Sequence, residues 1–197
     1  MMLVEETYIA EADLPLAALK RHLRLGTGFA EDDLQDPVLA SFLRAALAAV
    51  EGRTGKALLR RGFVLTQAAW HDATGQVLPL APVTAITQLA MVDRYGTAHV
   101  VPQDRYRLER DSTTPRLMPM GSSLPEVPSG GGIELRFEAG FGAGFGDLPA
   151  DLAQAVLLLA AHYYEYRDET ALGQGCMPFG VTSLLARYRP LRMGFAT

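Results

Sequence analysis

Apolar residues fall at helical spacing in Leu39, Phe42, Leu43, Ala46, Leu47 and Val50, and this predicts an amphipathic helix ending near Arg53. Gly55 is the expected left-handed stop. The period then changes to two. Gly62–Trp70 and Val83–Val92 read as strands, with shorter strands at Gln76–Leu80, Thr97–Val101, Tyr106–Glu109 and Arg116–Met118, and a last one at Ile133–Glu138. Asp93-Arg94-Tyr95-Gly96 reads as a hairpin loop. Met120–Gly132, with two prolines and three consecutive glycines, reads as an exposed, mobile loop. Helical spacing returns in Leu148–Arg167, whose stripe Leu152, Val156, Leu159, Tyr163 and Tyr166 is widened by Leu157 and Leu158. Shorter helices are expected at Leu14–Leu25, stopped by Gly26-Thr27-Gly28, and at Val181–Tyr188.

Helices, then strands without crossover helices, then helices make an α+β chain. The expected architecture is a small helical bundle with an inserted, mostly antiparallel β unit and an extended C-terminal tail. The expected boundaries are 1–60 and 147–180 for the helical unit, 61–146 for the β unit and 181–197 for a docking segment. The helix Leu39–Val50 is expected to pack on Leu148–Arg167.

Composition narrows the function. With 49% apolar and 20% charged residues, the 197-residue chain is an ordinary globular one. A net charge of −4 argues against a dedicated phosphate-backbone binder. A single cysteine, Cys176, excludes an internal disulfide and a multi-cysteine zinc site. Met1–Asp13 holds four acids and no base, unlike a targeting segment, and no apolar run approaches the ~20 residues that span a bilayer, so a soluble protein is expected.

Chemical motifs fail on inspection. Gly52-Arg53-Thr54-Gly55-Lys56 has Val50 where a phosphate loop needs glycine and Ala57 where it needs Ser or Thr, and it runs helix to strand. The glycines at 140, 142, 144 and 146 lack a βαβ unit around them. His162 and Glu165 lie one turn apart, but no second ligand pair accompanies them. No catalytic residue, cofactor or metal is therefore expected. Two alternatives stand beside that reading: a nucleic-acid-binding module using Arg53, Lys56, Arg60 and Arg61, and a hydrolase using His162 and Glu165. In the tail, Arg187, Arg189 and Arg192 alternate with apolar residues, which reads as a peptide that docks into a partner.

Four stretches, in this order, resemble the head–tail connector (adaptor) family of tailed bacteriophages in its form with a β insertion. They are Ala48-Ala49-Val50-Glu51-Gly52-Arg53-Thr54-Gly55-Lys56-Ala57-Leu58, the strand Phe63–Trp70 with Leu78–Val83 and the Asp93–Gly96 hairpin, Phe137–Gly142 leading through Leu148-Pro149 to Tyr163-Tyr164-Glu165-Tyr166-Arg167, and Leu184–Arg189. The long Met120–Gly132 loop and the extension past Arg189 depart from the pattern. The resemblance implies a structural virion protein of a phage or a phage-like gene transfer agent. It implies a homo-oligomeric ring, commonly of twelve, between the portal protein and a tail-side stopper or tail terminator protein. Double-stranded DNA would pass through that ring without sequence-specific binding. Expected portal-docking residues are Leu184, Leu185, Tyr188, Arg189, Leu191, Met193 and Phe195. Expected subunit-packing residues are Leu39, Phe42, Leu43, Val156, Leu159 and Tyr163.

Overall fold

The computed structural model describes residues 1–24, 35–167 and 177–189. They form two units. One comprises Met1–Tyr8 and Leu59–Ala143, and the other takes the rest of the chain.

The helical unit is built around α2 (Asp36–Thr54) and α3 (Ala150–Glu165), with α1 (Leu16–His22) and α4 (Phe179–Leu185) against them. Pro37 sits in the first turn of α2, where its missing N–H removes no helical bond. Gly55 closes that helix at φ 66°, and its N–H donates to the Glu51 carbonyl at 2.8 Å. The Glu51 carboxylate then accepts the Leu58 N–H at 2.7 Å, which fixes the turn out of the helix. Leu39, Leu43, Ala46, Leu47 and Val50 from α2 are buried, as are Leu152, Ala155, Val156, Leu159 and Ala160 from α3. The two stripes meet, and each fully buried Leu contributes roughly 1.5–3 kcal/mol. Tyr164 locks the far end of this pair. Its ring meets Phe42 edge-on at 6.3 Å, and its hydroxyl donates to Gln35 Oε1.

The β unit holds two antiparallel sheets. The larger has the order β1 (Met2–Glu5), β2 (Arg61–Gln67), β8 (Gly132–Ala139), β4 (Val83–Val92), β5 (Ala98–Val100). The smaller has the order β3 (Gln76–Val77), β7 (Arg116–Pro119), β6 (Tyr106–Glu109). Strict alternation sorts the residues of β2 and β8. Phe63, Leu65, Ile133, Leu135 and Phe137 are buried on one face, while Val64, Thr66, Glu134 and Arg136 remain on the other. In register, Leu65 faces Leu135, and Phe63 stacks on Phe137 at 5.7 Å. Register shifts in β4 between Val83 and Ala85 and between Ile86 and Gln88 precede the buried Leu89 and Met91. The small sheet turns Leu117 and Tyr106 inward, and the buried Gln67 of β2 donates to Gln76 of β3. The β unit is therefore a two-layer sandwich with one shared core.

Gly140 has φ 137°, and a Cβ there would lie 2.4 Å from Arg60 Cα. Only glycine permits this approach, which lets the Arg60 N–H donate to the Gly142 carbonyl at 2.7 Å. The glycine run is thus a backbone crossing rather than a phosphate cradle.

Three expectations need correction. The first residues, assigned above to the helical unit, form β1 at the edge of the large sheet. The edge of β2 is available there, and Glu5 and Glu6 reach Arg61 and Arg136. The Met120–Gly132 loop is anchored: Leu124 is buried, its N–H donates to the Ala73 carbonyl, and Trp70 Nε1 donates to the Pro125 carbonyl. The segment that opens at residue 181 is in part core of the helical unit, because Val181 and Leu185 are fully buried. The expected stop at Gly26–Gly28 lies outside the described residues.

Candidate assembly surfaces

Among the described residues no group of three or more His, Cys, Asp or Glu side chains is placed to hold a metal. No helix there is long and apolar enough to cross a membrane. The His162 ring lies 4.6 Å from the Tyr166 ring, tilted by 46°, and Glu165 is exposed without a hydrogen bond to it. The pair is not assembled as an acid–base couple. Of the four bases that could have formed a nucleic-acid patch, Lys56 and Arg61 are buried. Arg61 donates to the Leu59 carbonyl and to Glu5 Oε1, and its guanidinium lies 4.9 Å from the centre of the Phe63 ring. Burial takes both cations away from any phosphate, leaving Arg53 and Arg60 exposed.

The C-terminal segment starts at α4 and continues through a single turn, Ala186–Tyr188. Val181 and Leu185 hold it on α3. Asp151 of α3 holds its end, accepting from the Tyr188 hydroxyl at 2.8 Å and pairing with Arg187 at 2.8 Å. Burial raises the Tyr188 hydroxyl pKa above its ordinary value, Arg187 opposes this, and the phenol stays a neutral donor at physiological pH. Leu185 is therefore a core residue, correcting its assignment to docking. Leu184 is half-buried and Arg189 exposed, so both retain accessible surface. Leu191, Met193 and Phe195 lie outside the described residues.

The subunit-packing assignment changes in the same way. Leu39, Leu43, Val156 and Leu159 are covered inside the helical unit, since α2 and α3 bury each other's stripes. Phe42 and Tyr163 are half-buried and keep surface to present. Burial also pushes the Tyr163 hydroxyl pKa up.

Several exposed apolar residues lay outside the sequence reading. Phe179 is 88% exposed at the start of α4. Met2 and Val4 project from β1, and the alternation Met2-Leu3-Val4-Glu5 was the signal that could have found them. Their face of the large sheet also carries Thr66, Glu134 and Arg136, with Arg136 bonded to Glu134 and paired with Glu6.

No family model and no curated protein matches the sequence. Solved structures do. The chain is 49% identical to a chain in the neck of an empty gene transfer agent (GTA) particle solved with C6 symmetry, with a TM-score of 0.91 over 100% of this chain and 99% of that one. A chain in the neck of a native GTA particle solved with C12 symmetry matches at 45% identity and a TM-score of 0.86, with the same coverage. One in the virion of a native GTA particle matches at 48% identity and a TM-score of 0.88, again with that coverage. Similarity of this degree along the whole length carries the identification: the chain belongs to the head–tail connector family represented in the neck of gene transfer agent particles, a family of structural proteins of the virion.

Proposed function

We propose that this chain forms a twelve-membered ring between the portal protein and the tail of a phage-like particle, extending the channel through which double-stranded DNA passes. The observation that carries this reading is the full-length likeness to a chain in a C12-symmetric neck. Its chemistry is that of a contact protein. The surfaces are apolar and mixed-charge, and burial removes two of the four candidate phosphate-binding cations. A tail-side stopper or tail terminator docks on the opposite rim, and no catalytic step is assigned.

The portal contact uses the chain past Arg189, with Leu191, Met193 and Phe195 as apolar anchors and Leu184 and Arg189 beside them. Phe42 and Tyr163 serve lateral contacts. Removing residues 190–197 tests the docking role without touching the buried Val181 and Leu185. The truncated chain is expected to keep its thermal midpoint and lose portal binding. Cryo-electron microscopy of the full chain mixed with its portal protein tests the ring. A closed ring at the portal vertex is expected, and its absence at saturating chain overturns the reading.

A further inference from the structure

The β sandwich has two outer faces, and they differ in charge. On the large sheet, Glu6, Glu134 and Glu138 stand with one cation, Arg136. At one end of that face, Met2, Thr66, Ala68, Val92 and Gly132 line an open apolar trough. The outer face of the small sheet follows from its register. Arg107 lies opposite Met118, and Arg116 lies opposite both Glu109 and Val77. Arg105 and Met120 are exposed and continue these rows. With Asp72 reaching Arg116 at 3.6 Å, three arginines stand against two acids there. One face is acidic with an apolar trough. The other is basic with exposed methionine and valine.

We infer that the acidic outer face of the large sheet packs on the basic outer face of the small sheet in the next copy of this chain around the ring. This rests on the ring assembly proposed above. A closed cyclic ring needs a heterologous contact, made by two different patches on opposite sides of each subunit. The two outer faces of a sandwich meet that requirement by construction. Opposite net charge sets the direction of approach and disfavours like-on-like pairing. The patch on the small sheet is small. Two of its three strands have four residues and β3 has two, so with strands ~4.8 Å apart the sheet spans at most about 14 by 14 Å. That is well under the ~800 Å² per partner of a stable interface, so the pair is weak alone and the ring closes on the portal.

The test uses the full chain on its portal, imaged by electron microscopy. Thr66→Arg and Val4→Arg add bulk and positive charge to the acidic face and its edge, and Arg107→Glu reverses the opposite face. Thermal melts check that each is folded. At least one large-sheet variant and Arg107→Glu are expected to lower the yield of closed rings ten-fold or more while single subunits still bind the portal. Full rings from folded variants of both faces, or loss from one face only, overturn the inference, because a heterologous contact needs both. A wild-type chain that forms no ring overturns the assembly reading instead.

Discussion

The N-terminal strand and the C-terminal segment are both chain ends, yet they are held by different physics. β1 adds to the open edge of β2 through a backbone ladder, with Glu5 and Glu6 reaching two arginines. The C-terminal segment has no ladder. Two apolar side chains, Val181 and Leu185, are driven into α3, and Asp151 fixes the last turn. Burial in a core is costly to undo, whereas polar contacts at an edge are each worth little. The docking proposed above for the chain past Arg189 would start from a root anchored in the core.

That contrast can be broken in graded steps. Leu185→Ala is expected to cost about 2–5 kcal/mol, read by urea unfolding, because it opens a cavity at a fully buried position. Glu5→Ala is expected to cost about 1–3 kcal/mol, since it removes an acceptor from a buried guanidinium. Glu6→Ala should cost less than about 1 kcal/mol, because Glu6 and Arg136 are each about a third exposed (37% and 34%) and solvent screens the pair. Equal effects at Glu5 and Glu6 would erase the distinction between the two pairs. Asp151→Ala is expected to cost about 1–2 kcal/mol, from the Tyr188 bond. Arg187→Ala should cost well under 1 kcal/mol, its side chain being 68% exposed.

The smallest effect lies at the β4–β5 hairpin. Asp93 accepts the Thr97 and Tyr95 N–H groups, and the Thr97 bond above all holds its carboxyl below the ordinary carboxylate range. A depressed folded value means that this contribution is present above the unfolded pKa and is lost as pH falls through the folded one. Amide exchange at Tyr95 and Thr97, measured by NMR and corrected for intrinsic rates, should keep its protection through the ordinary carboxylate range and lose it only as pH falls below that range. Asp93→Asn should flatten that dependence.

The strands were legible because period-two alternation in Phe63–Gln67 and Ile133–Phe137 directly encodes which side is buried. The Gly55 stop was legible because few other residues adopt its φ cheaply. Apolar periodicity, however, states that a face is covered and not by what. Leu39, Leu43, Val156 and Leu159 therefore read as subunit contacts when they cover one another. β1 escaped notice because four residues next to a run of acids give too short a pattern to outweigh loop chemistry. Lys56 and Arg61 read as solvent-facing cations because their burial depends on distant partners, in the case of Arg61 on Glu5.

The close passage of Gly140 over Arg60, with Leu59 bridged to Gly142, brings the outgoing chain back beside the incoming one. Everything between these crossings hangs on a stem one strand-spacing wide, ~5 Å. A stem so narrow is a natural splice point. Lineages could lengthen, shorten or exchange the segment beyond it, and an engineer could graft a foreign domain there, provided the two chains close and the β2 edge that receives β1 is kept.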